Sequence, residues 1–366
     1  MTDPATAPRR TAAAEARLEP SLEDKVRALL RAESYPEPVD GVTAVETHMS
    51  FVFLSAGKAY KLKKPIMLPY LDFSSVEKRE AMCRAELALN RRMAESVYLD
   101  VVPLCATPAG LRLAGEGPIV DWVVVMRRLD AELMLEAAIL NRRAEVQHLE
   151  ALAQALTHFY RRAPPVFATP GQYLGKWRRL VLANRQGLLH PQLGMPTGPV
   201  LEICALQRRF LDRFATVLVR RLQEGRVVDG HGDLRPEHIW LGRPLAVIDC
   251  LEFNRDFRAV DPFDELASLA IECERLGDAR VGRWILRRLA RMLPAPPPAE
   301  LLAFYRCYRA TLRARLSAVH LLEEKPRTPQ KWRPLALRYL EIAGREAAVL
   351  RRALSRRATR RDVHRG

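Results

Sequence analysis

The chain changes its hydrophobic period once, near residue 128, and that change limits the folds open to it. Before it, apolar residues alternate in short runs bounded by turn residues. After it they recur at helical spacing, with one strand-rich interruption around residues 238–251. Strands and helices segregated in this way exclude an alternating parallel α/β sheet and predict an α+β chain whose sheet-rich part comes first. The first part is read as five strands, at Val42–Thr47, Phe51–Leu54, Ala59–Lys64 and near residues 101–105 and 119–126. The turn signal Ala56-Gly57-Lys58 joins the second strand to the third. Ser21 is placed to cap a short helix running to Ala32, and Ser74 to Glu77 fits a capping box opening a helix over 75–95. The second part is read as helices over 145–162, 200–224, 261–276, 278–292, 299–323 and 333–358, separated by proline- and glycine-rich breakers. The resulting division is a disordered tail (1–20), a sheet-rich lobe with one inserted helix (21–129), a large helical lobe (130–350) and a basic tail (351–366).

Composition narrows the class. Hydrophobic residues make up 48% and charged residues 28%, the balance of a globular protein. No apolar run approaches the roughly 20 residues that cross a bilayer, and the run at 119–126 contains Asp121. The N-terminus lacks the apolar core of a signal peptide. A cytoplasmic protein without a membrane partner is expected, with its six cysteines, none in a Cys-x-x-Cys pair, reduced and mostly buried. The net charge of +16 is carried by arginine: only nine of 59 basic residues are lysine, and seven arginines lie in residues 351–366. Such a tail attracts polyanions without specificity. No basic stretch interleaved with aromatics is present to stack bases, so specific nucleic-acid binding is not expected.

The most chemically pointed segment is His231-Gly-Asp-Leu-Arg-Pro-Glu-His-Ile239. It precedes a predicted hairpin with strands 238–241 and 245–248 around Gly242-Arg243-Pro244. Closing that hairpin sets His238 opposite Ile248 and Asp249, while Asp233 enters on the loop before it. Three polar groups converging beside an apolar hairpin would be costly if they were only structural. Phosphoryl transfer needs such a set: one carboxylate to orient the attacking hydroxyl, another to hold Mg²⁺ on the nucleotide phosphates. Asp233 suits the first role and Asp249 the second.

On these residues the chain resembles the aminoglycoside phosphotransferase family, over roughly residues 40–345. His231-Gly-Asp-Leu looks like that family's catalytic loop and Ile248 to Phe253 like its metal-binding segment. Ala59 to Pro65, Asp72 to Arg79 and Asp249 to Asn254 match an uncharacterised bacterial subgroup of the family more narrowly. The resemblance implies a protein-kinase-like, two-lobed fold with ATP bound between the lobes. One position departs. The family has Asn five residues after the catalytic Asp, where this chain has His238, and imidazole suits transition ions better than Mg²⁺. Either Mg²⁺ rests on Asp249 alone, or His238 meets phosphate, or the chain is a non-catalytic nucleotide binder.

A kinase fold also needs a strand lysine for the phosphates and a helix glutamate to hold it. Lys61, Lys63 and Lys64 all lie in the third strand, Lys61 and Lys63 on one face. The resemblance selects Lys61. Glu86 lies near the middle of the apolar arc of helix 75–95 and is its expected partner, with Arg79 or solvent as the alternative. There is no glycine-rich phosphate loop. Backbone N–H groups of Met49 and Ser50 are the substitute, and adenine is expected against the backbone near Met126. Arg235 is read as neutralising the transferred phosphate or as forming a loop-to-helix salt bridge. Asp261 with Pro262 reads as a helix cap rather than a buttress of the loop. Tyr305, Tyr308, Arg309, Arg313 and Arg315 either border the acceptor pocket or form one basic helix face.

The expectation is an ATP- and Mg²⁺-dependent phosphotransferase acting on a hydroxyl of a small molecule. The rivals are a metal-dependent hydrolase using His231, Asp233 and His238, and an interaction protein working through its basic tail.

Overall fold

The structure, a computed structural model, describes residues 20–323 and 328–363. The tail read over the first residues and the end of the basic tail lie outside these. Two compact units are present. One comprises residues up to 68 with 72–83 and 100–128; the other comprises 69–71, 84–99 and the chain from 129 onward.

Strands up to residue 128 are β1 (Thr43–Glu46), β2 (Ser50–Leu54), β3 (Lys58–Lys63), β4 (Met67–Leu68), β5 (Leu71–Asp72), β6 (Tyr98–Thr107), β7 (Gly110–Leu113) and β8 (Ile119–Arg127). Six of them form one sheet in the order β1-β2-β3-β8-β6-β7. The β7 return strand is absent from the sequence reading, which placed no strand between residues 105 and 119. One face of the sheet buries Phe53, Tyr60, Leu62, Leu104, Val123 and Val125 against Leu29 and Tyr35. Leu29 ends α1 (Leu22–Leu29), opened by a capping box between Ser21 and Asp24.

Asp121, the charge that interrupts the apolar run of β8, is the hub of a buried ion cluster. Lys25 Nζ reaches its Oδ2 at 2.8 Å, and Arg79 grips both oxygens at 2.7 and 2.9 Å. Removing either partner would strand a buried charge, which costs about 3–5 kcal/mol. Arg79 belongs to α2 (Val76–Ala94), whose cap is shifted from the expected place. Ser75, not Ser74, accepts the N–H of Lys78 at 3.3 Å, because the Ser74 hydroxyl is spent on Asp72 Oδ1 at 2.6 Å.

The second unit is mainly helical: α3 (Leu135–Leu140), α4 (Val146–Arg162), α5 (Pro170–Leu188), α6 (Thr197–Arg213), α7 (Ala215–Gln223), α8 (Arg255–Arg258), α9 (Pro262–Arg275), α10 (Ala279–Met292), α11 (Ala299–Val319) and α12 (Pro329–Val363). The helix read over 200–224 is two, broken at Phe214. The helix α5 was not anticipated. Gly171, Gly175 and Gly187 weaken its pattern, yet Thr169 and Gln172 form a capping box with Pro170 at the first helical position. Its face packs Trp177 against Phe304, Tyr305 and Tyr308 of α11. Two short antiparallel pairs interrupt the helices: β9 (Val228–Asp229) with β12 (Ala259–Val260), and β10 (Ile239–Trp240) with β11 (Ala246–Val247). All six cysteines are buried, and none is in a disulfide.

Candidate functional site

The loop after β9 runs from Gly230 to Arg235 and turns at Gly232, where φ is +90°. A Cβ at that position would press on Leu251 Cδ1 at 3.0 Å and Arg258 Cγ at 3.2 Å, so glycine is required for conformation and space alike. Beneath the turn lies Glu265, buried in α9. Its Oε2 accepts the His231 N–H at 3.1 Å and the Tyr160 hydroxyl at 2.7 Å, and its Oε1 accepts the Gly232 N–H. Asp261 caps α9 as expected, accepting the Phe263 N–H at 3.0 Å. The preference for a purely structural acidic segment is therefore corrected one turn further on: Glu265 is the buttress of the loop.

His231 is buried and fully committed. Asp233 N–H donates to its Nδ1 at 3.3 Å, so Nε2 carries the hydrogen and donates to Ile248 O at 2.9 Å. Burial pushes its pKa below the ordinary histidine value, outweighing the pull of Glu265. With both nitrogens spent, His231 has no lone pair for a metal, which removes the ligand set on which the hydrolase reading stood.

The hairpin closes as the sequence requires, with Ile239 opposite Val247 and the Ile248 N–H donating to His238 O at 2.9 Å. His238 ends the 3-10 turn Pro236–His238, and its Nδ1–H donates to the backbone carbonyl of Asp233 at 2.9 Å. The same imidazole is flanked by two carboxylates. Asp249 Oδ2 lies 3.5 Å from Nε2, and Asp233 Oδ2 lies 3.8 Å from Nδ1. Burial pushes the Asp233 carboxyl up, but Arg235 and, less strongly, its neighbours His238 and Arg313 outweigh it and hold its pKa below the usual carboxylate range. Asp233 is therefore ionised at neutral pH, as a group that orients a hydroxyl must be. Asp249 stands at φ +61°, a strained backbone for a side-chain-bearing residue, with its carboxylate 45% exposed. A half-exposed oxygen donor beside an imidazole nitrogen is a donor set that fits a divalent cation.

Long-range contacts hold Asp249 in that conformation. Its N–H donates to the Tyr98 hydroxyl at 3.2 Å, and the Cys250 N–H donates to Asn90 Oδ1 at 2.9 Å. Arg92 spans from α2 to the loop, donating to Asp229 O at 2.9 Å and Gly230 O at 2.8 Å. The Leu251 N–H donates to His231 O at 3.1 Å. Asn90, Arg92 and Tyr98 were not singled out from sequence. Their residue types are ordinary for a helix and a strand start, and their partners lie more than a hundred residues away.

The remaining candidates are placed as follows. Arg235 lies 3.4 Å from Asp233 Oδ2 and is paired with Glu237 within its own loop. Ser50 is buried, and its N–H is spent on Thr47 Oγ1 at 3.0 Å, which corrects its reading as a phosphate-covering donor. Lys64 pairs with Glu46 at 2.5 Å and Thr47 O at 2.7 Å. Lys63 is buried with its Nζ 5.0 Å from the Phe73 ring centre, and Lys61 is half-buried. Glu86 is fully buried, and its alternative partner Arg79 is committed to Asp121. Met126 is buried in β8 opposite Ala59. On α11, Tyr305 donates to Asp261, Arg309 grips Asp264 and Arg313 reaches Glu272 at 2.7 Å. Arg309 and Arg313 are thus partners of buried carboxylates of α9 rather than an exposed basic face.

No protein-family model matches the chain. It is 33% identical over 303 residues to an uncharacterized protein of Mycobacterium tuberculosis (strain H37Rv), and equally to one of Mycobacterium bovis. The match takes in 81% of this chain and 58% of each relative, so the chain spans less than two thirds of their length. Among solved structures, a choline/ethanolamine kinase family protein from Mesorhizobium loti superposes at a TM-score of 0.52 with 16% identity, over 90% of this chain and 99% of that one. The fold is thus α+β and kinase-like. No described helix is long and apolar enough to cross a membrane.

Proposed function

We propose that this kinase-like chain is an ATP-dependent phosphotransferase that moves the γ-phosphoryl group to a hydroxyl of a small molecule. The observation that carries the reading is the bracketing of His238 by Asp233 and Asp249, whose carboxylates approach its two ring nitrogens at 3.8 and 3.5 Å. One of these carboxylates is held ionised on a rigid loop; the other is half-exposed on a strained backbone. In the proposed reaction Asp233 accepts a hydrogen bond from the acceptor hydroxyl, orients it and takes its proton as the hydroxyl oxygen bonds to the γ-phosphorus and the bond from that phosphorus to the β–γ bridging oxygen breaks, with ADP as the leaving group. Asp249 would hold the divalent cation, which supplies charge neutralisation for the phosphates when bound. Arg235, beside Asp233, would neutralise charge on the transferred phosphoryl group. Lys61 with Glu86 would position the phosphates, and the backbone near Met126 the adenine.

A thermal-shift comparison with Mg²⁺–ATP tests this. Wild type should melt several degrees higher with the nucleotide, as linkage requires for a ligand present at many times its dissociation constant, and Asp249→Ala should not respond. A response of equal size in both would place the metal elsewhere. No response in either would remove the nucleotide from the account.

A further inference from the structure

Arg315 differs from the arginines that precede it on α11. Arg306, Arg309 and Arg313 each hold a carboxylate of α9 or its end, at Glu274, Asp264 and Glu272. Arg315 is half-buried, yet it pairs with no carboxylate among the described residues. Loss of water pushes its pKa below the ordinary arginine value, and the only pull the other way comes from the Tyr308 and Tyr70 hydroxyls. A guanidinium remains charged at neutral pH even so, and a partly desolvated charge without a counter-charge is costly. The fold nevertheless makes room for it. Its stem crosses Gly187 of α5, where a Cβ would stand 2.7 Å from Cδ and 2.9 Å from Cγ. Glycine in a helix costs about 1 kcal/mol relative to alanine, and here it leaves the space that the arginine fills. Tyr308 lies two turns earlier on the same face of α11. It is buried, and its hydroxyl has no hydrogen-bond partner among the described residues. Burial pushes its pKa up to about 12, so it keeps its proton and can donate.

Tyr70 connects this cation to the segment that carries Asp249. Its ring centre lies 6.1 Å from that of Phe253 and 6.0 Å from that of Phe257, and those two are 6.3 Å apart. None of the three rings is fully buried, and Tyr70 is 44% exposed. Phe253 follows Asp249 by four residues, a reach of at most about 14 Å. Lys176 of α5 fixes the far end of the segment, donating to Ala259 O at 2.9 Å and to Asp256 O on the other side of Phe257. Burial pushes Lys176 down to about 8, and it forms no ion pair among the described residues.

We infer that these side chains form the acceptor subsite and that it selects a hydroxyl compound with a flat or apolar body and an anionic group, a carboxylate or a phosphate. The Tyr70, Phe253 and Phe257 rings hold the body, and Arg315 with the Tyr308 hydroxyl holds the anion. A cationic acceptor would meet an arginine that has no counter-charge. The acceptor role rests on the phosphotransferase reading; the preference for an anion does not.

Four probes with one body test it: para-hydroxymethyl benzoate, para-hydroxymethyl phenylphosphonate, para-hydroxymethyl benzylamine and the uncharged benzene dimethanol. Their affinities for the full-length protein are read by ligand-observed NMR titration. One of the two anions should bind about tenfold tighter than the amine and the diol, and which one does so separates a carboxylate from a phosphate ligand. Arg315→Leu should remove the preference. Gly187→Ala displaces the arginine stem while keeping its charge and favouring the helix, so it should weaken the preference severalfold even if the leucine variant fails to fold. Arg283→Leu removes an exposed arginine of α10 and should change nothing, which separates a site from the general attraction of a basic chain for anions. Equal affinity for all four probes, binding of none, or a preference that survives Arg315→Leu and Gly187→Ala overturns the inference. The proposed function then still stands if Mg²⁺–ATP raises the melting temperature. A preference that depends on Arg315 in a protein with no response to Mg²⁺–ATP overturns the acceptor role together with the proposed function.

Discussion

Glu265, one turn into α9, holds the His231 N–H at 3.1 Å with one oxygen and the Gly232 N–H with the other. The same Oε2 takes the Tyr160 hydroxyl at 2.7 Å, so one buried carboxylate satisfies three donors. Leaving a buried donor unsatisfied costs about 1–3 kcal/mol. Glu265→Ala should therefore lower the unfolding free energy by about 3 kcal/mol in urea titration. Glu265→Gln, which keeps one acceptor oxygen, should lose less. A wild-type midpoint in the alanine variant would mean that the loop does not depend on this carboxylate.

His231 is kept neutral by burial, with its pKa below the usual value of about 6.5. A depressed pKa in the folded state means that the unfolded chain binds the proton more readily. The contribution to stability is then present above pH 6.5 and lost as pH falls towards the folded value. Stability measured from pH 7 downward should decline in wild type as Nδ1 is forced to take a proton and releases the Asp233 N–H. His231→Gln should show a shallower slope over the same interval. Parallel slopes would show that other groups govern the acid limb.

Arg92 bonds two consecutive carbonyls, those of Asp229 and Gly230, with its two terminal nitrogens. Lysine cannot reproduce that fork. Arg92→Met should cost about 2 kcal/mol, and Arg92→Lys should recover less than half of it, both read from urea midpoints. Full recovery with lysine would reduce the contact to simple charge.

Arg235 leads the charges that keep Asp233 ionised against its burial. Arg235→Leu should move the acid limb of kcat/KM upward in pH, because a carboxylate that loses its cation titrates later on the way down from neutrality. An acid limb that stays in place would assign the limb to another group.

Asp249 occupies φ +61°. Glycine adopts that backbone without strain, so Asp249→Gly should stabilise the nucleotide-free protein by about 1 kcal/mol while abolishing its response to metal and nucleotide. A loss of stability instead would show that the carboxylate itself anchors the segment.

The gathering of Asp233, His238 and Asp249 was legible because it is local: one short hairpin with a clear turn closes it. The sheet-first, helix-later layout was legible for a related reason, since periodicity is a property of neighbouring residues. What could not be read is what depends on distant partners. Asn90, Arg92 and Tyr98 act on segments more than a hundred residues away, and nothing in their surroundings marks them. Ser50 was misread because its N–H is consumed by the Thr47 hydroxyl three residues back, a contact that depends on turn geometry. Arg309 and Arg313 of α11 were read as bordering a pocket or forming a basic face; their pairing with Asp264 and Glu272 of α9 is a long-range contact that the sequence does not mark. The helix α5 escaped because its glycines lower the local preference, while packing against α11 supplies what propensity does not.

The central claim is that Asp233 and Asp249 act together in phosphoryl transfer to a hydroxyl. Phosphorus NMR of ATP incubated with the protein, divalent cation and a small-molecule extract tests it most directly. A new phosphomonoester resonance should grow with wild type, stay at least a hundredfold slower with Asp233→Asn, and be absent with Asp249→Ala. A phosphomonoester that forms equally fast with Asp233→Asn would contradict the account.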